Sequence, residues 1–176
     1  MAASYFLAGN KKNGDLAVVT GDGVAVFHNA DGPSTLYGDA NFASAQYAGY
    51  DNNGNLFVDG YGFGSNPPFE FAELPAGSNS FTDITLSVTP NSPGNVQWDG
   101  TYVAVGDLGS NIYQTQGSTV VNTIVLSGTR CVRGFFIVSR KKRVVAPDAC
   151  NISANVFHHP SGGSPFRTLT GDLQGP

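Results

Sequence analysis

Asn53-Gly54-Asn55-Leu56-Phe57-Val58 is a polar turn followed at once by an apolar strand, and versions of it recur along the chain. They stand at Asn13-Gly14-Asp15-Leu16-Ala17-Val18, at Asp99-Gly100-Thr101-Tyr102-Val103-Ala104 and, in degraded form, at Lys141-Lys142-Arg143-Val144-Val145-Ala146. The glycines at 14, 54 and 100 are 40 and 46 residues apart, and Lys142 follows 42 later. A period of roughly 40–45 residues with several short strands per unit is the signature of a β-propeller blade.

Each unit extends beyond this turn. An apolar stretch precedes it and reads as strand A, at residues 5–8, 47–50, 95–98 and 135–138. The Asn-Gly or Asp-Gly pair suits the positive φ angles of a two-residue hairpin. Strand B then covers 16–19, 56–58, 102–105 and 143–146, and strand C covers 24–27, 69–73, 111–114 and 155–158. Small residues mark a second turn at Ala30-Asp31-Gly32, Pro75-Ala76-Gly77 and Pro160-Ser161-Gly162, before strand D at 35–37, 81–86, 120–126 and 166–170. The expected fold is all-β: a β-propeller with four blades of four antiparallel strands. It forms one domain over residues 1–176, with blades near 4–44, 45–90, 91–129 and 130–173. The competing architecture is a β-sandwich with Gly-rich turns. Matched turn chemistry in every unit favours the propeller.

A four-stranded meander cannot bury both of its faces alone, so blades must stack. The chain opens on a strand A and ends where another blade would begin. Either four blades close a small ring, or two blade faces stay open. In the second case the expectation is a homo-oligomer, such as a two-fold dimer completing an eight-blade ring.

Composition narrows the function classes. Only 12% of residues are charged, glycine reaches 23 in 176, and Val, Phe, Tyr and Thr are abundant, as strands joined by tight turns require. A net charge of −4 argues against nucleic acid as partner. No apolar run is long enough to cross a bilayer, so no membrane partner is expected. No signal peptide is visible in Met1-Ala2-Ala3-Ser4-Tyr5, yet low charge and two cysteines fit a secreted or periplasmic bacterial protein better than a cytosolic one.

Propeller geometry says where chemistry would sit. The B–C and D–A loops share one face at the mouth of the central channel. Asp22, Asp59, Asp107 and Asp148 lie near the ends of the four B strands, and a ring of such carboxylates would attract Ca²⁺ or another divalent cation. A bound metal would lower the pKa of a water, with Asp59 or Asp107 as catalytic base. The alternative is that these aspartates cap tight turns. Asn91 lies in a D–A loop of the same face, and Tyr61 and Phe63 flank a long Gly/Asn/Pro loop, so these three are candidate ligand contacts. Cys131 and Cys150 fall at the two ends of one hairpin, which makes a disulfide geometrically credible. His28, His158 and His159 fall at the outer end of strand C, where adjacent residues point to opposite faces and make a poor zinc pair. Six of the nine basic residues, including Arg140-Lys141-Lys142-Arg143, gather in A–B turns on the opposite face.

The segments 49–60, 69–75, 96–107 and 160–163 together resemble a family of secreted bacterial propellers related to NHL-repeat and gluconolactonase-like propellers. The resemblance covers nearly the whole chain and implies longer relatives of about six blades, of which this chain matches the C-terminal two-thirds. The wider group includes metal-dependent lactonases and phosphotriesterase-like hydrolases with a divalent ion in the channel. Their ligand set is not carried over to residues here. Two readings follow: a module binding a small molecule, glycan or protein at the channel mouth, or a metal-dependent hydrolase acting there. A structural or assembly role through open blade faces is a third.

Overall fold

The computed structural model describes residues 6–21, 23–132 and 134–171. Four separate four-stranded antiparallel sheets follow one another, each a simple meander. Blade 1 is β1 (Leu7–Gly9), β2 (Leu16–Thr20), β3 (Gly23–Phe27) and β4 (Ser34–Tyr37). Blade 2 is β5 (Ser44–Tyr50), β6 (Leu56–Tyr61), β7 (Phe69–Leu74) and β8 (Thr82–Asp83). Blade 3 is β9 (Val96–Trp98), β10 (Val103–Gly106), β11 (Asn111–Gln116) and β12 (Thr119–Val125). Blade 4 is β13 (Phe136–Val138), β14 (Arg143–Asp148), β15 (Ser153–His158) and β16 (Gly162–Leu169).

Two details of the hairpins differ from the expectation. The A–B loops are not two-residue turns: residues 10–15, 51–55, 99–102 and 139–142 separate the paired strands. In the first three, the residue just after strand A is Asn10, Asp51 or Asp99, and its side-chain oxygen accepts amides of the loop. Asn10 takes Lys12 N at 2.9 Å, Asp51 takes Asn53 N at 2.8 Å and Asn55 N at 2.9 Å, and Asp99 takes Thr101 N and Tyr102 N at 2.8 Å each. Gly14, Gly54 and Gly100 hold the positive φ these loops need (80°, 91° and 107°), and Lys142 takes the same place in the left-handed region at φ 49°. Strand D of blade 2, expected over 81–86, keeps only Thr82–Asp83 in the ladder. Beyond it Leu86 dives into the apolar layer between blades 2 and 3, and Ser87 N turns to Ser118 O of blade 3 at 2.8 Å.

Packing is blade on blade, and the strand register sorts side chains between the two faces of each sheet. Ala8, Ala17, Val19, Val24 and Val26 of blade 1 meet Ala45, Ala48, Leu56, Val58 and Leu74 of blade 2. The other face of blade 2, with Tyr47, Phe57 and Phe71, meets Val96, Val103 and Val105 of blade 3. Ala104, Ile112, Ile124 and Leu126 of blade 3 meet Ile137, Val144, Ala146 and Phe157 of blade 4. Consecutive innermost strands touch along the inner edge, β1 with β5 and β5 with β9. They come so close that a side chain at Gly49 would run into the Val96 carbonyl.

The third seam also carries a polar ladder. Gln97 Nε2 donates to Ile137 O at 2.9 Å and its Oε1 accepts Ile137 N at 2.9 Å, while Asn95 Nδ2 donates to Phe135 O at 2.8 Å. Farther out, Gln114 Nε2 donates to Asp99, and Asn122 Nδ2 donates to Gln114 Oε1 at 2.7 Å. His159 of blade 4 places Nε2 3.3 Å from Asp99 Oδ2. The sequence put this histidine at the outer end of strand C; there it is nine-tenths buried, because its turn folds back against blade 3.

Candidate functional site: an axial cavity

Asp107 and Asp148 stand just past and at the ends of their B strands, and Asp59 two residues inside the end of its own, but their oxygens face amides rather than one another. Asp22 lies outside the described residues. Asp59 is fully buried on the face of blade 2 that meets blade 3; Oδ1 accepts Tyr47 N at 3.2 Å and Oδ2 accepts Gly94 N at 2.9 Å. Burial holds its pKa well above the usual carboxylate range, and the amides of Gly94 and Tyr47 pull it back only in part. Asp107 closes its own B–C loop: Oδ1 accepts Gly109 N at 2.9 Å and Asn111 N at 3.2 Å, and Oδ2 accepts Asn111 Nδ2 at 3.1 Å and Tyr113 Oη–H at 3.2 Å. Burial, together with this carboxylate, pushes the Tyr113 hydroxyl up.

Asp148 accepts Cys131 N and Arg130 N at 3.1 Å each, and Asn151 Nδ2 at 2.6 Å. Burial pushes it up, but these donors outweigh burial and leave its pKa below the ordinary value. Cys131 and Cys150 are joined in a disulfide with Cα atoms 5.4 Å apart, pinning the loop before β13 to the loop after β14. Among the described residues, Cys131, Asp148 and Cys150 form the one group of three potential ligands within 4.8 Å, and its sulfurs are bonded to each other. The described aspartates therefore do not fit a divalent cation, whose hard shell needs several oxygens turned to a single point. Asp107 caps its own loop, whereas Asp59 and Asp148 tie down amides distant in sequence.

The candidate ligand contacts are also dispersed. Phe63 is exposed at the tip of the loop between β6 and β7, closed at its base by Gly62 N to Pro68 O at 2.9 Å. Tyr61 is half-buried at the end of β6 and Asn91 is exposed. None of the three lines the cavity enclosed by the innermost strands. Phe69 and Phe71 stack within the blade at 6.5 Å, with Phe57 beyond at 5.9 Å from Phe71.

That cavity, about 670 Å³, lies at the centre of the arc and is walled by the innermost strand of every blade. Ala8, Ala48, Val96, Trp98, Phe135 and Phe136 supply its apolar surface. Its polar wall residues are already engaged: Asn95 and Gln97 with β13, and Asp51 with its own loop. Lys11, Lys12 and Asn52, from A–B loops, form its rim, so it opens at the end opposite to the aspartates. Lys12 Nζ donates to Asn53 O at 2.9 Å, whereas Lys11 is exposed and its ammonium has no hydrogen-bond partner among the described residues. The sequence had located the basic turns but gave them no part in a site. The strand A segments that wall the cavity were legible in the repeat, but not that they enclose a space.

No protein-family model matches the chain, and no curated protein matches it either. Solved structures share its fold at low identity. The structure of the nidogen/laminin complex aligns with a TM-score of 0.72 and 14% identity over 94% of this chain and 62% of that one. A streptogramin B lyase aligns at 0.67 and 9% over 95% of this chain and 54% of that one. The WD40 β-propeller domain of Doa1 aligns at 0.57 and 14% over 94% and 68%. The chain thus spans less than two thirds of the nidogen and lyase chains it matches. Among the described residues no helix is long and apolar enough to cross a membrane. With four radial meanders and these neighbours, the fold is a β-propeller of four blades.

Proposed function

We propose that this chain is a ligand-binding β-propeller module that takes a small amphipathic molecule in its axial cavity, with an anionic end toward Lys11. The observation that carries this reading is the cavity wall. Innermost strands of all four blades contribute apolar side chains while the neighbouring polar groups are engaged elsewhere, which suits the largely apolar lining of small-molecule sites. The free ammonium at the rim adds an orienting charge. The Cys131–Cys150 disulfide supports placement in an oxidising compartment, secreted or periplasmic.

Trp98 is the only tryptophan and lines the cavity, so binding can be followed by its emission. Octanoate should produce a saturable change, and Lys11→Glu should weaken it by about fivefold while leaving 1-octanol unaffected. A response that never saturates with either compound overturns the proposal.

A further inference from the structure

A second cavity, about 440 Å³, opens between blades 1 and 2 at the end that carries the A–B loops, and its volume suits a small molecule. Both of its walls belong to consecutive blades of this chain. Val26 of blade 1 and Leu56 and Leu74 of blade 2, all from the buried layer of that seam, give it an apolar side. Tyr37, the last residue of β4, and Tyr50, the last of β5, pack against the same layer and also line the cleft.

Asn10 lines it as well, and this residue departs from its repeat. It holds the place that Asp51 and Asp99 take in the next two blades, and its Oδ1 accepts Lys12 N as theirs accept loop amides. In those blades the second carboxylate oxygen is also bonded within the chain, Asp51 Oδ2 to Asn55 Nδ2 at 3.0 Å and Asp99 Oδ2 to Gln114 Nε2. Asn10 puts an N–H donor there instead. The residue is only 4% exposed, yet Nδ2 has no hydrogen-bond partner among the described residues. It lies beside Gly54, which also lines the cleft. The hydroxyls of Tyr37 and Tyr50 have no such partner either. Polar groups this enclosed normally have partners, so three of them around one cleft call for a hydrogen-bonding ligand.

The charges around the cleft are already engaged. Asp15, its side chain 13% exposed, accepts Asn29 N and Asn13 Nδ2 at 2.8 Å each, with His28 Nδ1 3.5 Å away. Lys12 Nζ is held by the Asn53 carbonyl. Burial, then the nearby Asp15 carboxylate and Tyr37 hydroxyl, push the Tyr50 hydroxyl up, which keeps it a donor. The complement is a neutral molecule with hydroxyls around its edge and C–H groups on its face.

We propose that this cleft binds a neutral saccharide, with one face of a pyranose ring against Val26, Leu56 and Leu74 and its hydroxyls on Asn10 Nδ2, Tyr37 and Tyr50. The proposal does not rest on the axial-cavity reading, although Tyr50 and Lys12 line both spaces.

Amide NMR on the full chain, titrated separately with glucose, galactose, mannose and N-acetylglucosamine, tests it. At least one sugar should shift the Gly54 and Gly77 amides, both at the cleft, in a saturable way while Trp98 emission stays unchanged. Tyr50→Phe should weaken that sugar by about fivefold. Asn10→Asp, which keeps the loop acceptor and matches the sister blades, should weaken it at least as much. Lys11→Glu should leave it unchanged. The proposal is overturned if none of the four sugars gives a saturable shift at those amides, or if both cleft variants bind at full strength. Glucuronate binding more tightly than all four would make the site one for anions and overturn it too.

Discussion

Asp59 and Asp148 lie near the end of strand B in blades 2 and 4, yet burial and hydrogen bonding balance oppositely at the two positions. Asp59 has two amide donors and no access to water, so burial prevails and favours the protonated acid. Asp148 has amides on both sides of the disulfide as well as the Asn151 side chain, and the donors prevail, so the carboxylate is favoured. Asp107 shows a third arrangement, a carboxylate turned inward on its own loop. Equivalent position in a repeat therefore fixes where a side chain starts, not its charge. The charge depends on how many N–H groups the adjoining loop presents.

The comparison can be broken most severely at the disulfide. Replacing both Cys131 and Cys150 by serine opens a 19-residue link and should cost about 3 kcal/mol in urea denaturation. It should also reduce the acid sensitivity of the remaining protein, since the amides around Asp148 lose their anchor. Intact acid sensitivity in that variant would show that the loop is held without the bridge.

Next comes Asp148→Asn, expected to cost about 2 kcal/mol at neutral pH through lost charge-assisted bonds. Asp148 titrates lower in the folded state than in the unfolded chain. Its contribution is thus present above the ordinary carboxyl value and lost as pH falls through the folded one. The cost of the substitution should shrink over that same acid range. A cost independent of pH would contradict the assignment.

Asp59→Asn should have the smallest effect, about 1 kcal/mol at neutral pH, because one neutral polar group replaces another and loses one acceptor. Here the linkage runs the other way. A folded value above the unfolded one makes the contribution greatest in acid, and stability falls as pH rises from the ordinary carboxyl value through the folded one. The variant should remove that decline. Stability measured from pH 4 to pH 8 in both proteins checks it, and parallel curves would place a charged carboxylate in the seam.

Much of this architecture was legible in the sequence, for a local reason. Gly14, Gly54 and Gly100 sit where the hairpin needs a left-handed residue, and apolar strands follow at once, so the period survives even in the copy where Lys142 replaces glycine. What could not be read was anything decided across a seam. Leu86 leaves its ladder because the layer between blades 2 and 3 has room for it. Gln97 and Gln114 look like solvent-facing residues until the seam with blade 4 encloses them. The aspartates were located at their strand ends, but their orientation depends on amides such as Gly94 N, 35 residues away. No pattern in the chain records which way such a group faces.

The A–B loops shorten around the arc, from six residues at 10–15 to five at 51–55 and four at 99–102 and 139–142. Only the two longer ones reach the cavity, supplying Lys11, Lys12, Asp51 and Asn52. The entrance is therefore a half-collar, built up by loop residues on the side of blades 1 and 2, where both lysines stand, and left low on the side of blades 3 and 4.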